Sequence, residues 1–195
     1  MKTFFFLIAA FTCSSISLFA QTTKLSDVAS ILFKNVKTKL TIAEQNQIAL
    51  KLGFILSADK DQPFAADKDS KDFPFAAFVM PTDINKDGKE EIFVSFGNTY
   101  TSGNTGSSVS LFIKNTDGSY ALNLGFPGTI PDALTTFSKG YPDLLIGGAG
   151  MQLPVWRWNG KEYVYYKSIN DSEYEKLKTT SIEEISKTYQ QTISN

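Results

Sequence analysis

Apolar positions fall first at helical spacing, then in alternation, then at helical spacing again. Leu25, Val28, Ala29, Leu32 and Val36 recur at the interval that lines one face of a helix. Thr41 followed by Glu44 is a capping-box pattern, and it opens a second helix whose broad apolar arc holds Ile42, Ile48, Ala49 and Leu52. Gly53 sits where that helix should stop. Both helices need a surface to cover, and the run from Phe73 to Met80 begins the β part that supplies it. Between them, 58–72 is rich in Asp, Lys and Pro and reads as a solvated linker. Its alternating acids Asp67, Asp69 and Asp72 are compensated by lysines and lack a turn glycine, the mark of a charged loop.

From Glu91 onward the period is two. Ile92, Val94 and Phe96 alternate with Phe93 and Ser95, Val109, Leu111 and Ile113 with polar neighbours, and Tyr120, Leu122 and Leu124 likewise. Asp117-Gly118 marks a turn. Trp156 and Trp158, then Asn159-Gly160, then Tyr163 and Tyr165 predict a hairpin with a two-residue type I′ turn, whose positions both need positive φ. The Gly/Ser/Thr/Asn run 97–108 is long enough to be mobile or to carry function. The C-terminus returns to helix: Ser181 with Glu184 is another capping-box pattern, and Ile182, Ile185, Tyr189 and Ile193 form a stripe.

Helices, then strands, then a helix argue an α+β fold: an antiparallel meander of roughly 6–8 short strands packed with two N-terminal helices and a C-terminal helix. The expected layout is one domain over 21–195, helical over 21–57, β-rich over 73–168 and helical over 171–193.

Composition adds compartment and exclusions. Lys2, the apolar run from Phe4 to Phe11 and the small residue Ala20 match a secretory signal over 1–20, too short an apolar run to span a membrane. The rival is a lipoprotein signal with Cys13 as the lipidated residue, which Phe11 and Thr12 fit poorly. Cys13 is the single cysteine, so cleavage after Ala20 leaves no thiol and no disulfide framework. Export without cysteine points to the bacterial periplasm or cell exterior. The chain has 19 basic and 20 acidic residues, and its one arginine is Arg157. With no basic patch, nucleic-acid binding has little support.

The clearest chemistry lies at 83–94. Asp83, Asn85 and Asp87 set oxygen-bearing side chains two apart, Gly88 allows a sharp turn, the Lys89 carbonyl can contribute, and Glu91 closes the set as a strand begins. Calcium is a hard cation that takes six to eight oxygens, and such residues can converge on it if the backbone wraps tightly. An EF-hand would need a bidentate Glu at loop position twelve, which here is Val94, and helical flanks. The same residue types also build Asx turns with no metal, and Lys86 and Lys89 weaken cation binding.

The pattern Asp-x-Asn-x-Asp-Gly-x-x-[Asp/Glu]-Ile-x-Val resembles the signature of FG-GAP/VCBS repeats, the calcium loops of integrin-α-like β-propellers. The resemblance implies a loop joining two strands of a blade, with Asp83, Asn85, Asp87, Lys89 (by its carbonyl) and Glu91 as ligands of a structural Ca2+. The family normally has Asp where this chain has Glu91. A fainter copy runs from Gly140 to Ile146, with Gly140 and Asp143 matching Gly88 and Glu91. Thr135, Phe137 and Lys139 at its ligand positions should not hold calcium. The β-like stretch is too short for a complete propeller.

Catalysis has little to stand on. Histidine is absent, which excludes Ser-His and Cys-His systems and His-ligated zinc. A carboxylate pair acting on glycans remains the hydrolase alternative. A binding module is the other class: Trp156, Trp158, Tyr163 and Tyr165, exposed on one hairpin face, would stack on sugar rings or grip a protein partner, whereas buried they would be core. The expectation is a calcium-stabilised binding or accessory module with an unknown protein or glycan partner. A purely structural protein with a metal-free turn at 83–91 is a further alternative.

Overall fold

The structure is a computed structural model that describes residues 24–147 and 153–193. The expected export signal and Cys13 lie outside the described residues.

Helix α1 (Asp27–Leu32) starts at Ser26, whose hydroxyl accepts from the Ala29 amide. It ends earlier than the Leu25–Val36 stripe implies, because Asn35 turns the chain at φ 63°. Helix α2 (Ile42–Leu52) has the expected reciprocal box between Thr41 and Glu44, and Gly53 closes it in the left-handed conformation at φ 72°. Two short strands, β1 (Ile55–Leu56) and β2 (Phe64–Ala65), pair across part of the expected linker. Within that linker the Asp67 carboxylate is taken up by the Asp69 and Ser70 amides, a plain Asx turn.

Four strands then run as a meander: β3 (Ala77–Thr82), β4 (Glu91–Phe96), β5 (Ser108–Lys114) and β6 (Tyr120–Pro127), with the short helix α3 (Thr99–Ser102) between β4 and β5. A second meander follows: β7 (Asp132–Ser138), β8 (Tyr141–Leu145), β9 (Leu153–Trp158) and β10 (Tyr163–Ile169). After the short helix α4 (Asp171–Tyr174), β11 (Thr179–Ser181) returns to pair antiparallel with β7, and α5 (Ile182–Thr192) packs against β3. Neither sheet closes into a barrel. The fold is the expected α+β arrangement, its eight longer strands divided between two sheets that continue no common ladder.

The layers follow from strand alternation. Val79, Ile92, Val94, Phe112 and Tyr120 meet Ala29, Leu32, Ile48 and Ala49 of α1 and α2. On the other face, Met80, Phe93, Val109, Leu111 and Leu124 meet Leu144, Ile146, Trp158 and Tyr163 of the second sheet. Strand β4 is therefore covered on both faces, and Ile92, Phe93 and Val94 are all fully buried.

Three local expectations change. In β6 the pairing shifts between Leu111–Leu124 and Phe112–Leu122, leaving Asn123 as an extra residue. The bulge sends Tyr120 toward the helices and Leu124 toward the second sheet, although their spacing puts them on one face. Asn123 bonds across to the second sheet, accepting from the Tyr163 amide and donating to the Lys161 carbonyl. Second, 159–162 is a four-residue loop in which the Asn159 side chain accepts from the Lys161 and Glu162 amides. The two-residue turn with both φ positive is instead Lys139-Gly140, at 47° and 89°, between the paired residues Ser138 and Tyr141. Third, Ser181 caps α5 through the Glu183 amide, without the Glu184 half of a box.

Candidate metal centre

Residues 83–90 connect β3 to β4 just beyond the last ladder pair, Thr82 with Glu91. The alternating side chains wrap their own backbone. The Asp83 carboxylate accepts from the Gly88 amide at 3.2 Å, Asn85 Oδ1 from the Asp87 amide at 2.9 Å, and Asp87 Oδ1 from the Lys89 amide at 2.8 Å. Positive φ at Lys86 and Gly88, 60° and 84°, lets the loop curl this tightly, and Gly88 is the residue type suited to the second. Among the described residues, no group of three or more acidic side chains is drawn together to hold a metal ion.

Glu91 differs from the other four. It is 2% exposed and faces the second sheet. Its Oε2 accepts from the Ile84 amide at 3.0 Å, and its Oε1 accepts from the Tyr141 hydroxyl of β8, also at 3.0 Å. Burial pushes its carboxyl up to about 8. The Ile84 and Tyr141 donors pull against that shift, and the charges of Asp87 and Asp83 add to it. Glu90 turns the opposite way, toward the helical layer, where its carboxylate accepts from the Thr38 hydroxyl and the Lys39 amide. Two adjacent buried glutamates thus fasten the loop to both neighbouring layers.

The donor set suits a hard cation: carboxylate, amide and carbonyl oxygens, with no nitrogen or sulfur ligand. The charge of Glu91 is disfavoured by burial and by two acidic neighbours, and a nearby cation would favour its ionised form.

At the position of the fainter copy, Lys139-Gly140 makes the tight turn and Asp143 lies buried on the outer face of the second sheet. It accepts from Arg157 Nε at 2.9 Å, from Arg157 Nη2 at 2.7 Å and from the Thr136 hydroxyl at 2.6 Å. Burial alone would raise the Asp143 carboxyl, but the bonds from Arg157 and Thr136 and the Arg157 charge hold it below the usual range. Arg157 also lies 3.5 Å from the ring centre of Tyr166. A guanidinium from the chain itself occupies the carboxylate here.

The aromatic hairpin faces mostly inward. Trp158 and Tyr163 are buried, and Trp156 is half-buried and stacked on Phe126 at 4.8 Å between ring centres. Of the four candidate aromatics Tyr165 alone is exposed, at 58%, with Tyr166 beside it also exposed. Segment 97–107 is built rather than open: Asn98 caps α3, and Tyr100 stacks flat on Phe73 at 3.8 Å.

No protein-family model matches this chain, no curated protein sequence matches it, and no solved structure matches it. The likeness to FG-GAP/VCBS loops therefore stands on the residues of 83–94. Sequence reasoning missed the partners that fix the loop. Tyr141 follows Gly140 in the fainter copy, but nothing in its spacing ties it to Glu91, and Thr38 carries no signal toward Glu90. Among the described residues no helix is long and apolar enough to cross a membrane.

Proposed function

We propose that this chain is an exported, calcium-stabilised binding or accessory module of FG-GAP/VCBS-like character. It acts in the bacterial periplasm or outside the cell on a protein or glycan partner. One observation carries the reading: a buried carboxylate, Glu91, closes a tightly curled loop of oxygen donors at the junction of two sheets. A cation bound by Asp83, Asn85, Asp87, the Lys89 carbonyl and Glu91 would supply the positive charge those carboxylates lack. Its role is structural, holding β3 and β4 in register with the layers on either side. The affinity suited to such a site is on the order of 10⁻⁴–10⁻³ M.

Thermal unfolding tests it. At that affinity, about 10 mM calcium stabilises by roughly 1.4–2.7 kcal/mol through mass action, a rise in Tm of about 3–10 °C for a chain of this size. Asp87→Ala should abolish the rise. A Tm that does not move between chelator and millimolar calcium removes the reading.

The metal-free turn is the second reading, favoured by the loop's own bonds: Asp83, Asn85 and Asp87 each already accept from a loop amide. On that reading Asp87→Ala lowers Tm equally with and without calcium.

A further inference from the structure

Tyr141 begins β8, immediately after the Lys139-Gly140 turn, and is 50 residues from Glu91 in sequence. It contributes to two structures at once. Its hydroxyl donates to Glu91 Oε1 at 3.0 Å, with the Asn85 side chain beside it. Its ring lies 4.4 Å from Trp158 and 6.0 Å, edge-on, from Tyr163, in the core between the sheets. The Ile84 amide holds the other oxygen of Glu91 at 3.0 Å. The carboxylate is thus clamped by one donor from its own loop and one from the opposite sheet. Each oxygen keeps a lone pair, since an ionised carboxylate accepts at about four sites. Without the hydroxyl, Oε1 would have no partner and the Ile84 amide alone would set the carboxylate's terminal torsion, which is broad for glutamate.

We infer that Tyr141 is the positioning residue of the cation loop: its hydroxyl holds Glu91 in the ligand position and links loop occupancy to the aromatic core around Trp158. The inference rests on the calcium reading proposed above. It makes the metal a clasp between the sheets as well as a local brace for 83–90. A ligand carboxylate oriented from the second sheet is fully set only when the sheets are docked, so calcium binding and sheet docking favour each other, reciprocally. Outer-shell hydrogen bonds of this kind commonly govern metal affinity as strongly as a weak ligand does.

The test uses the full chain and calcium alone as the probe. Calorimetric titration gives the Kd, and emission from a Trp156→Phe background reports on Trp158. Tyr141→Phe removes the hydroxyl and keeps the ring. It should weaken calcium binding roughly 10–100-fold and erase the calcium-dependent change in Trp158 emission. Tyr163→Phe is the control: it removes a buried hydroxyl that donates to the Pro142 carbonyl in the same cluster without touching the loop. It should leave both readouts unchanged, whereas a merely structural loss would move the two variants together. An unaltered Kd in Tyr141→Phe overturns the inference while the calcium reading stands, and so does an equal loss in Tyr163→Phe. Should Tyr141→Phe fail to fold, the parent decides: calcium binding with no change in Trp158 emission overturns the inference. Absence of both heat and Tm shift in the unmodified chain removes the calcium reading and the inference with it.

Discussion

Arg157→Leu lowers stability at pH 7 by about 3 kcal/mol, and the loss shrinks as the pH is lowered. The Asp143 side chain is only 2% exposed and depends on the guanidinium for two bonds, so removing Arg157 leaves a buried charge uncompensated. The magnitude is set at the low end for a broken buried pair because the Arg157 side chain is itself 31% exposed and already partly solvated. The sign of the pH dependence reverses between the two proteins. In the parent, Asp143 is held below its ordinary value, so its contribution is present above the usual carboxylate range and is lost as the pH falls through the depressed value. In the variant burial, the largest effect on the group, is opposed chiefly by the Thr136 hydroxyl, so the carboxyl rises and stability is lost as the pH increases. Denaturant unfolding at about pH 3, 5 and 7 separates the two slopes, the parent's lying below about pH 5 and the variant's above it. A variant with the parent's slope would show that the pair is not what holds Asp143. Adding Asp143→Asn to Arg157→Leu should restore most of the loss, since no buried charge then remains.

The second large effect belongs to Glu91. In chelator, the parent should lose roughly 3–5 kcal/mol of stability between about pH 4.5 and pH 8 through this group alone. The carboxyl is raised to about 8 in the folded chain, so folding takes up a proton across that window, and stability is full below it and falls as the pH climbs through it. Glu91→Gln should flatten that component of the curve. The replacement fits, because a glutamine oxygen can still accept from the Ile84 amide while its NH₂ donates to the Tyr141 oxygen. Calcium should flatten the parent's curve too, by favouring the ionised form. Identical pH profiles for parent and Glu91→Gln in chelator would show that Glu91 is not protonated on folding.

What the sequence revealed and what it hid divides along contact distance. Helix α2 was legible at both ends, because the Thr41–Glu44 box and the Gly53 stop are made within a few residues. The strands were legible from alternation, and with them the α+β class. Their division into two facing sheets was not, since the register that separates β6 from β7 is fixed by pairings across the whole chain. The Asn123 bulge escaped notice because a two-residue period carries no mark of an inserted residue. The tight turn falls at Lys139-Gly140 rather than at Asn159-Gly160 because the Asn159 side chain caps its own loop, while Lys139 accepts positive φ beside Gly140. Around the metal loop, the five candidate ligands and their glycine were visible in sequence. The burial of Glu90 and Glu91 and their distant donors were not, because those donors come from the segment before α2 for Glu90 and from β8 for Glu91.

The opposed Glu90 and Glu91 also bear on how the molecule breathes. Neighbouring residues that grip different layers leave the loop no partial way to lift: opening it pulls on Thr38 and Lys39 on one side and on Tyr141 on the other. In hydrogen–deuterium exchange, the Ile84 and Lys39 amides, both held by these carboxylates, should report the slow, whole-molecule opening. The Lys161 and Glu162 amides, tied only to Asn159 in an exposed loop, should exchange through fast local fluctuations. A surface connection would then rank among the last parts of the chain to come undone.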